Sequence, residues 1–325
     1  MKICFLDKTN FEYNSNDINS YKLRGAETLL INLTNELSIL GHDIVVINNC
    51  YKNQILNGVE WKNINSYSQK ETFDIAISNG DSRLFDKINS NKKILFSHSL
   101  QTIEKFIRKK QLISYFKHKP KVVFLGNYHK KNTSKITSLF GHIRVNYGVD
   151  KLFINTTLSN NIDNNLSVFT SRPDRNLDLL VDIWNKLIYP KYTEGKLLIT
   201  PPLNKIDLSN NIYLRKTDTR ELMIEDIKKS RIFLIPGHRA ELFCLAAEEA
   251  RELCVPTVTL GIGCLSERII HEKTGFIAKN NTEFCDYTIQ LYKDNKIWQN
   301  IRNNLINLRG KSLWSNVARD FLSKI

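Results

Sequence analysis

RIFLIPGHRAELFCLAAEEARELCVPTVTL, residues 231–260, is the stretch from which the fold can be read. RIFLIP (231–236) has the length and apolar character of a short buried strand. PGHRAE then turns the chain. Phe243, Ala246, Ala247, Ala250 and Cys254 fall on one side of a helical wheel, so a helix is expected from about Phe243 to Leu253. Val255 to Leu260 reads as a second apolar strand. Strand, loop, helix and strand in that order form the repeating element of a parallel α/β sheet. Glu241 lies in the loop at the helix start and Glu249 two turns into the helix. Both are near the carboxyl end of a strand, where open α/β sheets bind ligands. Carboxylates placed there accept hydrogen bonds from ribose and hexose hydroxyls. The helix macrodipole accounts for Glu241 equally well. Glu248 and Glu249 lie off the apolar face on opposite sides, so periodicity alone leaves open which of the two is functional.

The same pattern extends in both directions. Toward the N-terminus, KICFL (2–6) is a strand, GAETLLINLTNELSIL (25–40) a helix with leucines along one face, and DIVVIN (43–48) a strand. Gly41 ends that helix as a C-cap. FDIAISN (73–79), KKILFSH (92–98) and KVVFLGN (121–127) complete a parallel sheet. Asn160, Asn161, Asn164 and Asn165 read as a polar linker. A second α/β series starts at SVFTS (167–171). It continues through helix 177–187, strands 196–200 and 211–215, and helix 220–230. The fold class is α/β, with two Rossmann-like doubly wound domains facing a central cleft. The N-terminal domain is expected over 1–155 and the C-terminal one over 156–310, with a last helix at 311–325 joining the first. The polar loop 8–21 would be a flap at the cleft.

The chain has 325 residues, 42% of them hydrophobic, and a formal net charge of +14. That charge favours anionic company: phosphorylated ligands, an anionic membrane face or nucleic acid. No apolar run is long enough to span a bilayer, and Met1–Leu6 is too short for a signal-peptide core. Six cysteines without a Cys-x-x-Cys pair read as free thiols, so the expected location is cytoplasmic. From Lys105 to Lys135 there are ten lysines and arginines and no acid. Ile103, Phe106, Ile107, Lys110 and Ile113 would line one side of a basic helix over 103–116. Such a helix could lie on the inner face of the cell membrane through 103–135, or pack its apolar side on the sheet.

Several motifs point to phosphate and sugar. Gly25, in KLRGAETLL (22–30), precedes a helix and is a candidate ligand contact or simply a turn. His98 ends a strand in Ser97-His98-Ser99 and is either a site residue or structural. Arg172 and Arg175, in SRPDRNLDLL (171–180), follow a strand and precede a helix. Two guanidiniums there suit a diphosphate and would stabilise a departing nucleoside diphosphate; the alternative is a solvated loop paired with Asp174 and Asp178. Gly261 and Gly263 form a turn that exposes backbone N–H groups, and Glu267 follows in the next helical turn, where the macrodipole also favours it. No Asp-x-Asp or His pair at metal-ligand spacing occurs.

In order along the chain, these motifs resemble retaining glycosyltransferase family four, within the GT-B superfamily (glycosyl transferases group 1). RGAETLLINLTNELSILGHDIVVI is similar to its glycine loop, helix and strand entry, and FSHS to the surroundings of its histidine. VNYGVDKLF (145–153) resembles its Asn-Gly-Val-Asp signature, with Tyr147 in place of Asn. TSRPDRNLDLL resembles its basic loop, ELFCLAAEEA its paired glutamates, and GIGCLSE with EKTGFIA the turn and strand that follow. The resemblance implies a hexosyltransferase using a UDP- or GDP-sugar held mainly by the C-terminal domain, with the acceptor on the N-terminal one, and retention of configuration. The basic helix suggests a lipid or glycan acceptor, in the setting of lipopolysaccharide or glycolipid synthesis, and the lack of a metal-ligand motif, with arginines to supply positive charge, fits transfer without metal or other cofactor. Arg172 and Arg175 would bind the diphosphate, Glu249 the ribose and Glu241 the donor sugar, while His98 lines the sugar pocket. Gly25 and Gly263 would give backbone contacts. Leu242-Phe243-Cys244 departs from the family's Gly-Phe-Gly. A nucleic-acid-binding protein or a non-catalytic nucleotide-sugar-binding protein would be the alternatives. The first lacks an aromatic-and-basic platform, and a Rossmann oxidoreductase is disfavoured by the missing Gly-x-Gly-x-x-Gly turn.

Overall fold

A computed structural model describes every residue except 21–22, 69–70, 201–208 and 216–218. Residue 21 of the loop 8–21 and Lys22 of the KLRG motif therefore lie outside the described residues. The chain divides into two compact units, Met1–Gly148 with Trp314–Ile325, and Val149–Leu313.

Unit 1 holds an eight-stranded sheet. Its strands are β1 Lys2–Leu6, β2 Asp43–Asn48, β3 Gln54–Leu56, β4 Val59–Asn63, β5 Thr72–Asn79, β6 Asn89–Phe96, β7 Lys121–Phe124 and β8 His142–Arg144, in the order β3-β4-β2-β1-β5-β6-β7-β8. All neighbours are parallel except β3 and β4. Val45, Ile47, Ala76, Leu95 and Phe124 meet in one core cluster, as expected for strands covered on both faces. The helices are α1 Gly25–Ile39, α2 Ile103–Arg108, α3 Leu112–His118 and α4 Asn127–Lys131. Gly25 is the first residue of α1, whose start is closed by Glu27 accepting from the Arg24 N–H at 2.9 Å.

The single helix expected over 103–116 is two helices. Lys110 adopts a left-handed backbone (φ 55°), and the Gln111 N–H donates back to the Phe106 carbonyl at 2.9 Å. That closure ends α2 and restarts the chain as α3. The apolar stripe drawn through Lys110 and Ile113 therefore does not exist as one face.

Unit 2 holds a six-stranded, all-parallel sheet: β9 Asp163–Phe169, β10 Lys196–Ile199, β11 Ile212–Leu214, β12 Ser230–Leu234, β13 Thr257–Thr259 and β14 Gly275–Ile277, ordered β11-β10-β9-β12-β13-β14. Because β9 begins at Asp163, Asn164 and Asn165 are strand residues rather than linker. Asn164 accepts from the buried Arg231 guanidinium at 2.7 Å. The helices are α5 Lys151–Asn155, α6 Leu177–Ile183, α7 Tyr189–Lys191, α8 Arg220–Lys229, α9 Leu245–Glu252, α10 Leu265–Arg268, α11 Asn281–Lys293 and α12 Asn295–Leu308; α13 Trp314–Lys324 belongs to unit 1, against α1.

The chain enters unit 2 after Gly148 and leaves it after Leu313. Within unit 2 the two crossing segments run side by side, with Val149 bridged in parallel to Leu313 and its N–H 2.7 Å from the Ser312 carbonyl. This pairing carries unit 2 back to Val149, whereas the polar composition pointed to a boundary at 155/156. At Gly148 a side chain would lie 2.5 Å from the Trp314 ring, so only glycine lets α13 pack there.

Candidate functional site

In unit 2 the loops after β9, β12 and β13 leave the carboxyl ends of three adjacent strands, and they carry most of the candidate residues. After β9, Arg172 and Arg175 flank Asp174, which pairs with both at 2.9 and 3.3 Å. Arg172 is largely exposed; Arg175 is mostly covered. Arg175 also reaches across to the β12 loop, its Nε 3.0 Å from a Glu241 carboxylate oxygen. A guanidinium has five donors in a fixed plane, so Nε can serve Glu241 while the terminal nitrogens face a second anion. Asn176, left-handed at φ 63°, starts α6 and donates its amide to the Gly237 carbonyl. It ties the two loops together. Nothing in the helical periodicity marked it, but Asn is among the few residues that tolerate this backbone.

The β12 and β13 loops pack backbone to backbone. Gly237 bridges Ile262, and the Cys264 N–H donates to the Glu241 carbonyl at 3.1 Å. Gly263 has φ +76°, and a Cβ there would stand 2.3 Å from the His238 carbonyl and 3.0 Å from that of Glu241. Gly263 thus lets the Glu241 loop close, whatever it does for a ligand. The departure Leu242-Phe243-Cys244 also has a structural outcome. All three side chains are buried, the Arg268 guanidinium lies 4.7 Å from the centroid of the Phe243 ring, and Cys244 takes the left-handed conformation (φ 61°) just ahead of α9.

Helix α9 separates the two adjacent glutamates. Glu248 is buried and committed to Arg251 at 2.6 Å and Arg268 at 3.5 Å. The Glu249 carboxyl has no hydrogen bond or ion pair among the described residues. Protein surrounds it closely although part of the residue reaches solvent, and burial pushes its pKa up to about 7, opposed by Arg220 and reinforced by Asp150. Arg220 itself is paired with Asp150. That pair went unnoticed in the sequence, although Asp150 belongs to the VNYGVD motif.

His98 and Gly25 belong to unit 1. His98 follows β6 and is half-buried; its Nδ1 is 2.8 Å from the Tyr147 hydroxyl and its Nε2 bonds the Asn79 side-chain oxygen. Burial pushes its pKa down to about 3, with His129 adding to the effect, so the ring is neutral. Among the described residues no group of three or more His, Cys, Asp or Glu is placed to hold a metal ion.

Residues 203–307 match the model of the family described as glycosyl transferases group 1. No curated protein matches the chain. Among solved structures, the chain is similar to HepE of Anabaena, solved with UDP (TM-score 0.71, 13% identity, covering 100% of this chain and 99% of that one). It is similar to sucrose-phosphate synthase from Thermosynechococcus elongatus (0.70, 11%, 100% and 98%) and to a glycosyltransferase from Rickettsia africae (0.70, 16%, 99% and 97%). Residues 203–307 thus resemble the glycosyl transferases group 1, and the chain has the α/β GT-B fold of those solved glycosyltransferases.

Proposed function

We propose that this glycosyltransferase moves a hexose from a UDP- or GDP-sugar to a hydroxyl of a lipid or glycan acceptor, with retention and without a metal. The observation that carries the reading is the Arg175 fork, whose Nε is held 3.0 Å from Glu241 beside Arg172 at the carboxyl end of β9. Arg172 and the remaining Arg175 donors would take the diphosphate, and Glu241 would accept from the donor sugar. Glu249, without a carboxyl partner among the described residues, would accept from ribose. In the reaction the bond from C1 to the diphosphate oxygen breaks and a bond from C1 to the acceptor oxygen forms on the same face. The acceptor proton passes to the leaving phosphate, and the two arginines stabilise the charge that develops there. UDP, the ligand in the HepE structure, favours a uridine donor. Thermal-shift measurements across nucleotide sugars, with donor hydrolysis for each hit, test this. A rise in melting temperature with UDP or GDP donors, insensitive to EDTA, is expected, and no response to any nucleoside diphosphate would refute it.

A lipid acceptor and contact with an anionic membrane are supported by unit 1. Ile103 and Ile107 are exposed on α2, and Ile113 and Phe116 on α3, with Leu139 beside Phe140, which packs on Phe116. Lys109, Lys110, Lys117 and Lys119 flank these residues. Exposed apolar side chains interspersed with lysines suit an anionic lipid surface. Among the described residues no helix is long and apolar enough to cross a membrane. Sedimentation with phosphatidylglycerol vesicles should deplete the protein from solution, and Lys109→Glu with Lys110→Glu should abolish that; binding unchanged by the double substitution would exclude this surface.

A further inference from the structure

The carboxyl ends of three neighbouring strands in unit 1 converge on a file of hydrogen bonds that the transfer chemistry above does not explain. Asp7 follows β1, Asn79 closes β5 and His98 follows β6, and these strands are adjacent in the sheet. Asp7 is buried and accepts from the Tyr13 hydroxyl, and the Asn79 side chain beside it favours its charged form. Tyr13 is itself sealed in, edge-on to Trp61, with its carbonyl accepting from Asn48 at 3.0 Å. A carboxylate can only accept, so Asn79 must turn its NH2 toward Asp7 and its oxygen toward His98. An amide oxygen can only accept as well, so His98 Nε2 carries the ring proton. Nδ1 is then the bare nitrogen and takes the Tyr147 O–H at 2.8 Å. The orientation set at Asp7 is passed through two side chains to the imidazole. The ring plane is fixed separately, by stacking on Phe96 at 5.9 Å and 8°.

We propose that Asn79 and Tyr147 are positioning residues that hold His98 in the neutral Nε2–H tautomer, and that Asp7 acts on His98 through Asn79. The intervening amide matters. A carboxylate in direct contact with the ring would favour the imidazolium, whereas Asn79 transmits the direction of the hydrogen bond without the charge. The other titratable groups around the file fit this arrangement. Glu27 at the start of α1 faces Asp7 and raises its proton affinity further, and Tyr13 is held protonated by burial. His129 on α4 faces His98; its Nδ1 accepts from the Leu125 N–H at 3.3 Å, which leaves its Nε2–H to donate to the Ser99 carbonyl at 3.2 Å, so it too is neutral. Tyr147 stands where the resembling signature has Asn, so this file includes a residue that departs from that signature. The geometry lies wholly within unit 1 and does not rest on the glycosyl-transfer reading.

The test is ¹⁵N NMR of the full chain, ligand-free, with labelled histidine, the His98 signals being assigned by their loss in His98→Gln. The wild-type ring should show one protonated nitrogen, Nε2, and one bare nitrogen, Nδ1, unchanged from pH 7 to pH 8, where Asp7, raised by burial to about 6, is ionised. In Asp7→Asn, residue 7 can donate as well as accept, so the Asn79 amide is free to turn. In Asn79→Leu the Nε2 acceptor is gone. Both variants should move the two nitrogen signals toward an averaged position as the second tautomer appears. Tyr147→Phe should shift only the Nδ1 signal. A wild-type Nδ1–H ring, a cationic ring at pH 7, or a single Nε2–H tautomer persisting in both Asp7→Asn and Asn79→Leu would overturn the proposal. If both variants fail to fold, the wild-type spectrum and Tyr147→Phe still decide it. Because no donor is present, the outcome is independent of whether the chain binds a nucleotide sugar.

Discussion

Substituting Glu249→Gln should stabilise the ligand-free protein and weaken its grip on a nucleotide sugar at the same pH. The carboxyl is raised from 4.5 to about 7 because burial disfavours its charged form. A raised carboxyl holds its proton more tightly in the folded chain than in the unfolded one. Its favourable contribution is therefore complete below pH 4.5 and is lost as pH rises through about 7. Above that pH the folded state holds a poorly solvated charge, at a cost of at most about 3 kcal/mol, and the neutral amide removes most of this. Binding has the opposite sign. If ribose hydroxyls donate to the ionised carboxylate, only that form binds well. With a pKa of about 7 the ionised form is about one part in eleven at pH 6 and about ten in eleven at pH 8. Affinity should then rise about tenfold from pH 6 to pH 8, or ~1.4 kcal/mol. Isothermal titration calorimetry with UDP-glucose is the right assay, since its diphosphate is a diester with no ionisation in that range. Glu249→Gln should bind more weakly and show no slope, while its urea midpoint at pH 8 rises. A flat wild-type profile, a slope that survives in the variant, or a destabilised variant at pH 8 would refute the assignment.

Three further substitutions separate site from scaffold. Glu248→Gln, one residue away, should lower stability by about 3 kcal/mol, because it takes from Arg268 its buried carboxylate and leaves Arg251 with Glu252 alone; urea denaturation reads this, and an unchanged midpoint would contradict the buried network. Arg175→Lys keeps the charge but cannot serve Glu241 and a diphosphate in one plane, so donor turnover should fall by about tenfold or more with the melting temperature nearly unchanged. Gly263→Ala forces a Cβ to within 2.3 Å of the His238 carbonyl at φ +76°; a loss of at least about 2 kcal/mol in thermal or urea unfolding is expected, as backbone must move on both loops.

Much of the frame was legible because it is local. The apolar runs 2–6, 43–48, 73–79 and 231–236 match strands to within a residue or two, since β-branched and apolar clusters between turn residues leave the chain few alternatives. Helix α1 is announced by its leucines and ended at Gly41. The hairpin-like edge formed by β3 and β4 was not legible: QIL and VEWKN are short, and most of their residues are only partly buried. Nor was the break at Lys110, a lysine in a left-handed turn closed by a hydrogen bond rather than by a glycine. The start of β9 at Asp163 was hidden for a related reason. Its asparagines look like a linker until Arg231, 67 residues away, supplies Asn164 with a partner.

The sequence by itself determined the α/β alternation, the types of residue at the strand ends and the order of the motifs, because periodicity, turn chemistry and side-chain charge are properties of neighbouring residues. Only the tertiary structure decided what those residues are free to do. Arg268 and Arg251 claim Glu248 and leave the Glu249 carboxyl unpaired among the described residues; Glu241 claims the Nε of Arg175; Asn79 and Tyr147 claim both nitrogens of His98. Most of these partners are far apart in the chain and meet only where the sheets bring loops together. A buried charge or donor takes its chemistry from the partner it meets, and that partner cannot be read from its own stretch of sequence.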